Sequence, residues 1–326
     1  MIDKIAYSVG ALMYAPGLNK KIADDVLGQV FGSKYSLALC LEDTIPEDKV
    51  EEAEDQICAS LEKMNNNKKN INIPKIFIRV RRPDQVLTMY KKLGKNINLL
   101  TGFIFPKFAL GNADAYIENV KSVNTHLHRK PEFRDKKIYM MPIFESDTLV
   151  NPNERVSIMQ ALKDKLDKAS DYVLNIRVGG NDLSQCFGVR RNMNNTIYDI
   201  KPIANIFSDI ITVFSRDYVV SGPVWEYFGG DDWEAAFERE IKMDLLNGFV
   251  GKTVIHPKQI HAFNRAMKVN SLDYTDASAV VNWDKDDLLV SAVHSEEERM
   301  NEYNTHIKWA KKTLVLADIY GIKKTA

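Results

Sequence analysis

KIYMMPIFESD (137–147) and DYVLNIRVGGNDLS (171–184) are two apolar runs that each end in an acid, Glu145 in the first and Asp182 behind Gly179-Gly180 in the second. Between them, Pro152 to Ala169 places its apolar residues at helical spacing. Strand, helix, strand with both strands buried describes a βαβ unit, whose strands are parallel. Both carboxylates then stand at the carboxyl ends of neighbouring strands. That is the rim on which α/β barrels and open α/β sheets carry their sites. Two carboxylates converging there form a hard-oxygen site suited to Mg2+, completed by water and substrate. Either acid alone also reads as a helix N-cap. The pair, in its surroundings, reads as a metal site.

The same alternation extends through most of the chain. Short apolar stretches suited to strands lie at Ser8–Tyr14, Ser36–Leu41, Lys75–Val80, Gly102–Pro106, Lys137–Phe144, Tyr172–Val178, Asp217–Val220 and Lys252–Ile255. Helical patterns follow at Asn19–Phe31, Glu47–Met64, Pro83–Leu93, Asn112–Val123, Pro152–Lys168, Ile200–Ser215, Trp233–Leu246 and Lys258–Val269. Pro83 and Pro152 sit at helix starts, where a missing N–H costs little. Eight such units fit a (β/α)8 barrel. An open doubly wound sheet would carry a glycine-rich phosphate fingerprint after its first strand, and AlaProGlyLeuAsn (15–19) is not one. The expected organisation is a barrel over residues 1–270 and a C-terminal helical extension over 271–326, serving as a lid or an oligomerisation segment. Within the extension a helix is expected around Asp276–Trp283 and a long one from about Ser295 to Tyr320.

Composition excludes several classes of function. Lys+Arg and Asp+Glu both number 44 in 326 residues, so no overall field favours nucleic acid or an anionic membrane. NNNKKNINI (65–73) reads as a polar loop. No apolar run approaches the length of a membrane span, and the first residues lack a signal-peptide layout. Cys40, Cys58 and Cys186 are odd in number, far apart and without CxxC, which points to reduced thiols and a cytoplasmic location.

The residues closing the strands would share one pocket. They are the Ala15-Pro16-Gly17 turn, Glu42-Asp43, Arg79-Val80-Arg81-Arg82, Pro106-Lys107, Glu145, Asp182, Ser221-Gly222-Pro223 and His256-Pro257. Acids, a metal, and Arg and Lys together suit a small anionic substrate that passes through an enolate, whose oxyanion the metal and a guanidinium share. Bland readings stand beside these: Arg79 bridging Glu42 or Asp43, His256 as an architectural group, and Arg81, Arg82, Arg190 and Arg191 as solvated rim charges. That rim cluster also permits a phosphate or carboxylate clamp.

At these positions the chain resembles the citrate lyase β-subunit-like family of C–C bond lyases and aldolases. The matching motifs are Ala15-Pro16-Gly17, Cys40-Leu41-Glu42-Asp43-Thr44-Ile45, Ile78-Arg79-Val80-Arg81, Pro106-Lys107, Glu145, Gly179-Gly180-Asn181-Asp182 and the run from Gly248 to Gln259 (GFVGKTVIHPKQ). Cys40 replaces an acid of the family pattern, Arg81 an asparagine, and the C-terminal acid falls at Glu302. This variant pattern resembles a divergent branch found in tellurite-resistance-associated operons.

The resemblance implies a TIM barrel with Mg2+ on Glu145 and Asp182. It implies an oxo-acid of the pyruvate, glyoxylate or oxaloacetate type held by Arg79; Arg81, Gly179, Gly180 and Pro223, from their places at the strand ends, are expected around it. The resemblance also implies a CoA thioester as the second reactant and a homotrimer or hexamer, while the extra rim arginines point to a more anionic, phosphorylated acid. Glu42, Asp43 and Lys107 would relay protons and support the charge. The rival enzyme is a thioester or phospho-acid hydrolase on the same barrel. The rival binding protein is a catalytically degenerate barrel acting as an assembly subunit or metabolite-binding protein.

Overall fold

In the computed structural model, which describes residues 4–283, 291–293 and 300–323, eight short strands run parallel. They are β1 (Ala11–Pro16), β2 (Ser36–Cys40), β3 (Lys75–Arg79), β4 (Leu100–Phe105), β5 (Tyr139–Phe144), β6 (Ile176–Val178), β7 (Val220–Ser221) and β8 (Lys252–Val254). The order is β7-β6-β5-β4-β3-β2-β1-β8, and a parallel bridge between Gly222 and Lys252 joins the two ends. The expected (β/α)8 barrel is the observed fold. Its strands are buried on both faces, β2 without exception, which is why they read as apolar runs and not as alternating ones.

The helices between strands follow the apolar periodicity. Lys201–Phe214 buries Ile203, Ile206, Phe207, Ile210 and Phe214, a stripe at three- and four-residue spacing. Pro152–Asp167 starts on its proline, and the Asn151 side chain accepts a hydrogen bond from the Asn153 N–H. Register then aligns the functional rim. Cys40 pairs with Arg79 and Arg79 with Ile104, so the loop after β2 stands level with the end of β3.

Several boundaries differ from the sequence reading. The first strand begins at Ala11, because Lys4–Tyr7 is helical and Gly10 turns the chain at φ 61°. The sixth is only Ile176–Val178, since Ser170–Tyr172 closes into a 3-10 turn. The helix expected over Asn19–Phe31 is confined to Ile22–Leu27. A seven-residue helix, Gly180–Cys186, follows β6 directly. It is too short and polar to show a period.

Val9–Ala262 forms one compact unit, and the described residues within 1–8 and 263–326 form another. In the second, helices Ser271–Val281 and Tyr303–Tyr320 pack through Ala277, Val280 and Ala310, flanked by Val281, Ile307 and Leu314. Ser291–Val293 pairs antiparallel with Met300–Glu302. The expected start of the last helix near Ser295 lies outside the described residues, as do the acidic connector and Arg299. Among the described residues no helix is long and apolar enough to cross a membrane.

Candidate active site

Arg79 is the last residue of β3 and is almost wholly buried. Its guanidinium meets Glu42 Oε2 at 2.8 Å, Asp43 Oδ2 at 3.0 Å and Glu145 Oε1 at 3.3 Å. One cation thus joins the loop after β2 to the end of β5. Lys107 closes the ring: its Nζ donates to Glu42 Oε1 at 3.0 Å and its backbone N–H to Glu145 Oε1 at 3.0 Å. It does so at φ 47°, a left-handed conformation that costs a non-glycine residue energy and tends to persist at sites that need it.

The carboxylates differ in their environments. Burial, against the pull of Arg79, pushes the Glu145 carboxyl up to about 7, and the nearby Asp182 charge adds to the rise. Glu42 is also raised, first by burial and then by its hydrogen bond with Asp43. Burial acts upward on Asp43 as well. There the hydrogen bond with Glu42 and the charges of Arg79 and Lys107 prevail, and its carboxyl sits below the ordinary value. Neighbouring acids pushed in opposite directions suit proton transfer.

Glu145 and Asp182 line one cavity of about 350 Å3, together with Tyr14, Arg79, Arg177 and Thr253. Asp182 stands in the first turn of the short helix after β6. Gly179 explains how Glu145 fits there. A Cβ at position 179 would lie 2.2 Å from Glu145 Oε2 and 2.4 Å from Glu145 Cβ. Gly179→Ala is therefore expected to displace the carboxylate and lower activity more than tenfold without removing a functional group, at about 1–3 kcal/mol in stability. Steady-state kinetics and chemical denaturation check this, and a fully active variant would show that the Glu145 position is dispensable. Gly180 also faces the cavity. Its own approach is to Pro223, whose Cβ would stand 3.0 Å from an added one, so Pro223 packs behind the glycines.

The residues fit a hard cation. A buried carboxylate whose proton affinity is raised by burial and by a neighbouring acid is relieved by a cation between the two. Mg2+ takes one or two carboxylates and completes its shell with water and substrate. Among the described residues no group of three or more His, Cys, Asp or Glu side chains is placed to cage an ion. Of the four carboxylates lining the cavity, Asp43 pairs with Arg79 and Glu226 with Arg190, which leaves Glu145 and Asp182 as the pair best suited to share one.

The expected rim arginines do not converge on the pocket. Arg81 donates to the carbonyls of Leu41, Glu42 and Ile45 and to Glu47, and so braces the loop after β2. Arg82 pairs with Glu47 and Asp84, and Arg190 with Glu226. Arg191 is buried, not solvated. It stacks on Trp225 at 5.0 Å and pairs with Glu240, which also binds the fully buried Lys252. His256 stacks on Phe228 at 4.4 Å, and its Nδ1 accepts from the Lys258 N–H at the start of a helix. Arg177 was not singled out by the sequence reading. A cation inside LNIRV, a strand buried on both faces, is the signal that marks it.

A family model described as C–C bond lyase of the TIM-barrel fold matches residues 3–322. A comparison with curated protein sequences gives no significant match. Among solved structures, a citrate lyase from Burkholderia xenovorans LB400 superposes with TM-score 0.72 at 12% identity, covering 97% of this chain and 94% of its own. CitE from Mycobacterium tuberculosis, in complex with magnesium, acetoacetate and coenzyme A, superposes with TM-score 0.65 at 14% identity, covering 96% and 99%. The citrate lyase β subunit from M. tuberculosis, complexed with oxaloacetate and magnesium, gives TM-score 0.50 at 13% identity, covering 81% and 99%.

Proposed function

Because the chain belongs to the C–C bond lyases of the TIM-barrel fold, we propose that it makes or breaks a carbon–carbon bond beside the carbonyl of an oxo-acid. The class is that of pyruvate, glyoxylate or oxaloacetate, and Mg2+ is the cofactor. The observation that carries this reading is Arg79, held between Glu42, Asp43 and Glu145 on the wall of a cavity that also presents Asp182. Glu145 and Asp182 would hold the ion, which when bound supplies a Lewis acid for the substrate carbonyl. Magnesium with an oxo-acid in the M. tuberculosis relative supports the assignment.

The chain's own groups account for the remaining requirements. Arg79 is preorganised by its carboxylates, so its charge meets the oxyanion that develops in the enolate without reorganisation. Asp43 reaches the cavity with its carboxylate kept ionised and would take the proton from the carbon beside the carbonyl as the enolate forms, returning it when the enolate is quenched. Glu42, buried and raised, holds a proton more readily and passes it to or from Asp43. Lys107 keeps both acids in place through Glu42 and the Glu145 contact. Ile143, Val178 and Val224 line the same cavity and keep water from competing. A CoA thioester as acyl partner, and a trimer or hexamer of this chain, belong to the same proposal.

Calorimetric titration of Mg2+ with oxaloacetate or pyruvate into wild type and Asp182→Ala tests the site. Metal-dependent oxo-acid binding is expected in wild type and not in the variant. Equal binding by both proteins would remove Asp182 from the metal site.

A further inference from the structure

Arg177 is the central residue of β6, and its side chain enters the barrel interior with 1% of its surface exposed. One terminal nitrogen donates to Thr253 Oγ1 at 2.8 Å. Among the described residues no other protein group meets hydrogen-bond geometry at its Nε and other terminal nitrogen, and the Tyr14 hydroxyl is the one further polar group that interacts with the guanidinium. Tyr14 lies beside it, but burial holds that phenol up to about 12, so it stays neutral and balances no charge. Among the described residues no carboxylate stands within ion-pair distance of Arg177. An arginine keeps its charge in proteins, and a buried cation without a counter-charge is strongly disfavoured.

Its neighbours show the contrast. Arg79 is matched by Glu42, Asp43 and Glu145, and Lys107 by Glu42 and Asp43. Arg177 lines the same cavity as Arg79 and Asp182 with its charge unspent. Its planar fork, with charge unmatched and N–H groups beyond those on Thr253 and Tyr14, matches a carboxylate or a phosphate-type group. Arg191 is also buried with donors unpartnered, but its charge is matched by Glu240; Arg177 lacks any such carboxylate among the described residues.

We infer that Arg177, with Thr253 and Tyr14, forms a second anion subsite that takes the distal charged group of the substrate, making that substrate a doubly charged oxo-acid. This rests on the oxo-acid reading above. Arg79 and the cation site address the oxo-acid end, and Arg177 addresses the other.

The test is calorimetry on the full chain with Mg2+ and three acids that share the oxo-acid end: pyruvate, oxaloacetate and 3-phosphonopyruvate. Wild type is expected to bind at least one of the two doubly charged acids about 10- to 100-fold more tightly than pyruvate, as a charged hydrogen-bonded pair contributes. The tighter of the two tells a carboxylate from a phosphonate group. Arg177→Met should bring that acid to the pyruvate level while pyruvate itself is unchanged, and Arg177→Lys should recover part of the difference. Should Arg177→Met not fold, Thr253→Val and the wild-type comparison carry the test, with a smaller loss expected for the doubly charged acid alone. Equal wild-type affinity for all three acids, or a variant that loses pyruvate as strongly, overturns the subsite and leaves the oxo-acid reading standing. Binding of none of them overturns both.

Discussion

Glu145→Gln is expected to lower Mg2+ affinity and Mg2+-dependent turnover by more than about a hundredfold, because a direct ligand should matter more than the outer groups whose loss costs 10- to 100-fold. The amide keeps the volume of the side chain and an oxygen for the Lys107 N–H. It removes the charge that faces Asp182. Arg79 still pairs with Glu42 and Asp43, so the fold should stay intact. Calorimetry with Mg2+, beside a thermal unfolding curve close to that of wild type, separates loss of the site from loss of the fold. A variant with wild-type Mg2+ affinity would take Glu145 out of the metal site.

Arg79→Met should damage stability as well as activity. Glu42 and Glu145 are 6% and 5% exposed, and both lose the cation that offsets their burial. Breaking a buried pair from one side costs about 3–5 kcal/mol, whereas the same pair left whole adds little. Lys107 still reaches Glu42, which places the expected loss toward the lower end. Methionine fills much of the space of the arginine stem, so the loss reports charge and not a cavity. Chemical denaturation should show a lower midpoint, and oxo-acid binding should fall below detection in the folded variant. An unchanged midpoint would mean that the two acids are protonated or solvated without Arg79.

The architecture was readable because the eight strands are apolar on both faces and each is followed by a periodic helix. That Glu145, Asp182 and Arg79 would meet at one cavity was readable for the same reason: polar residues at the ends of such strands have one rim to occupy. What escaped depends on contacts across the barrel. Arg177 gains its meaning from Thr253 in β8 and Tyr14 in β1, far away in sequence. Arg81 looked available to a substrate because the carbonyls that absorb it belong to the preceding loop and leave no mark on composition. Gly179 reads as a substrate-site glycine, but its smallness serves the neighbouring strand's Glu145. Gly180–Cys186 carries Asp182 on too few residues to display a helical period.

The measurement that bears most directly on an oxo-acid enolate at this site is proton exchange at carbon. Pyruvate in D2O with Mg2+ and the protein, followed by proton NMR, should lose its methyl signal faster with wild type than with Glu145→Gln or with Mg2+ alone. Equal rates in all three would contradict a barrel built around Arg79 and Glu145 to stabilise that enolate.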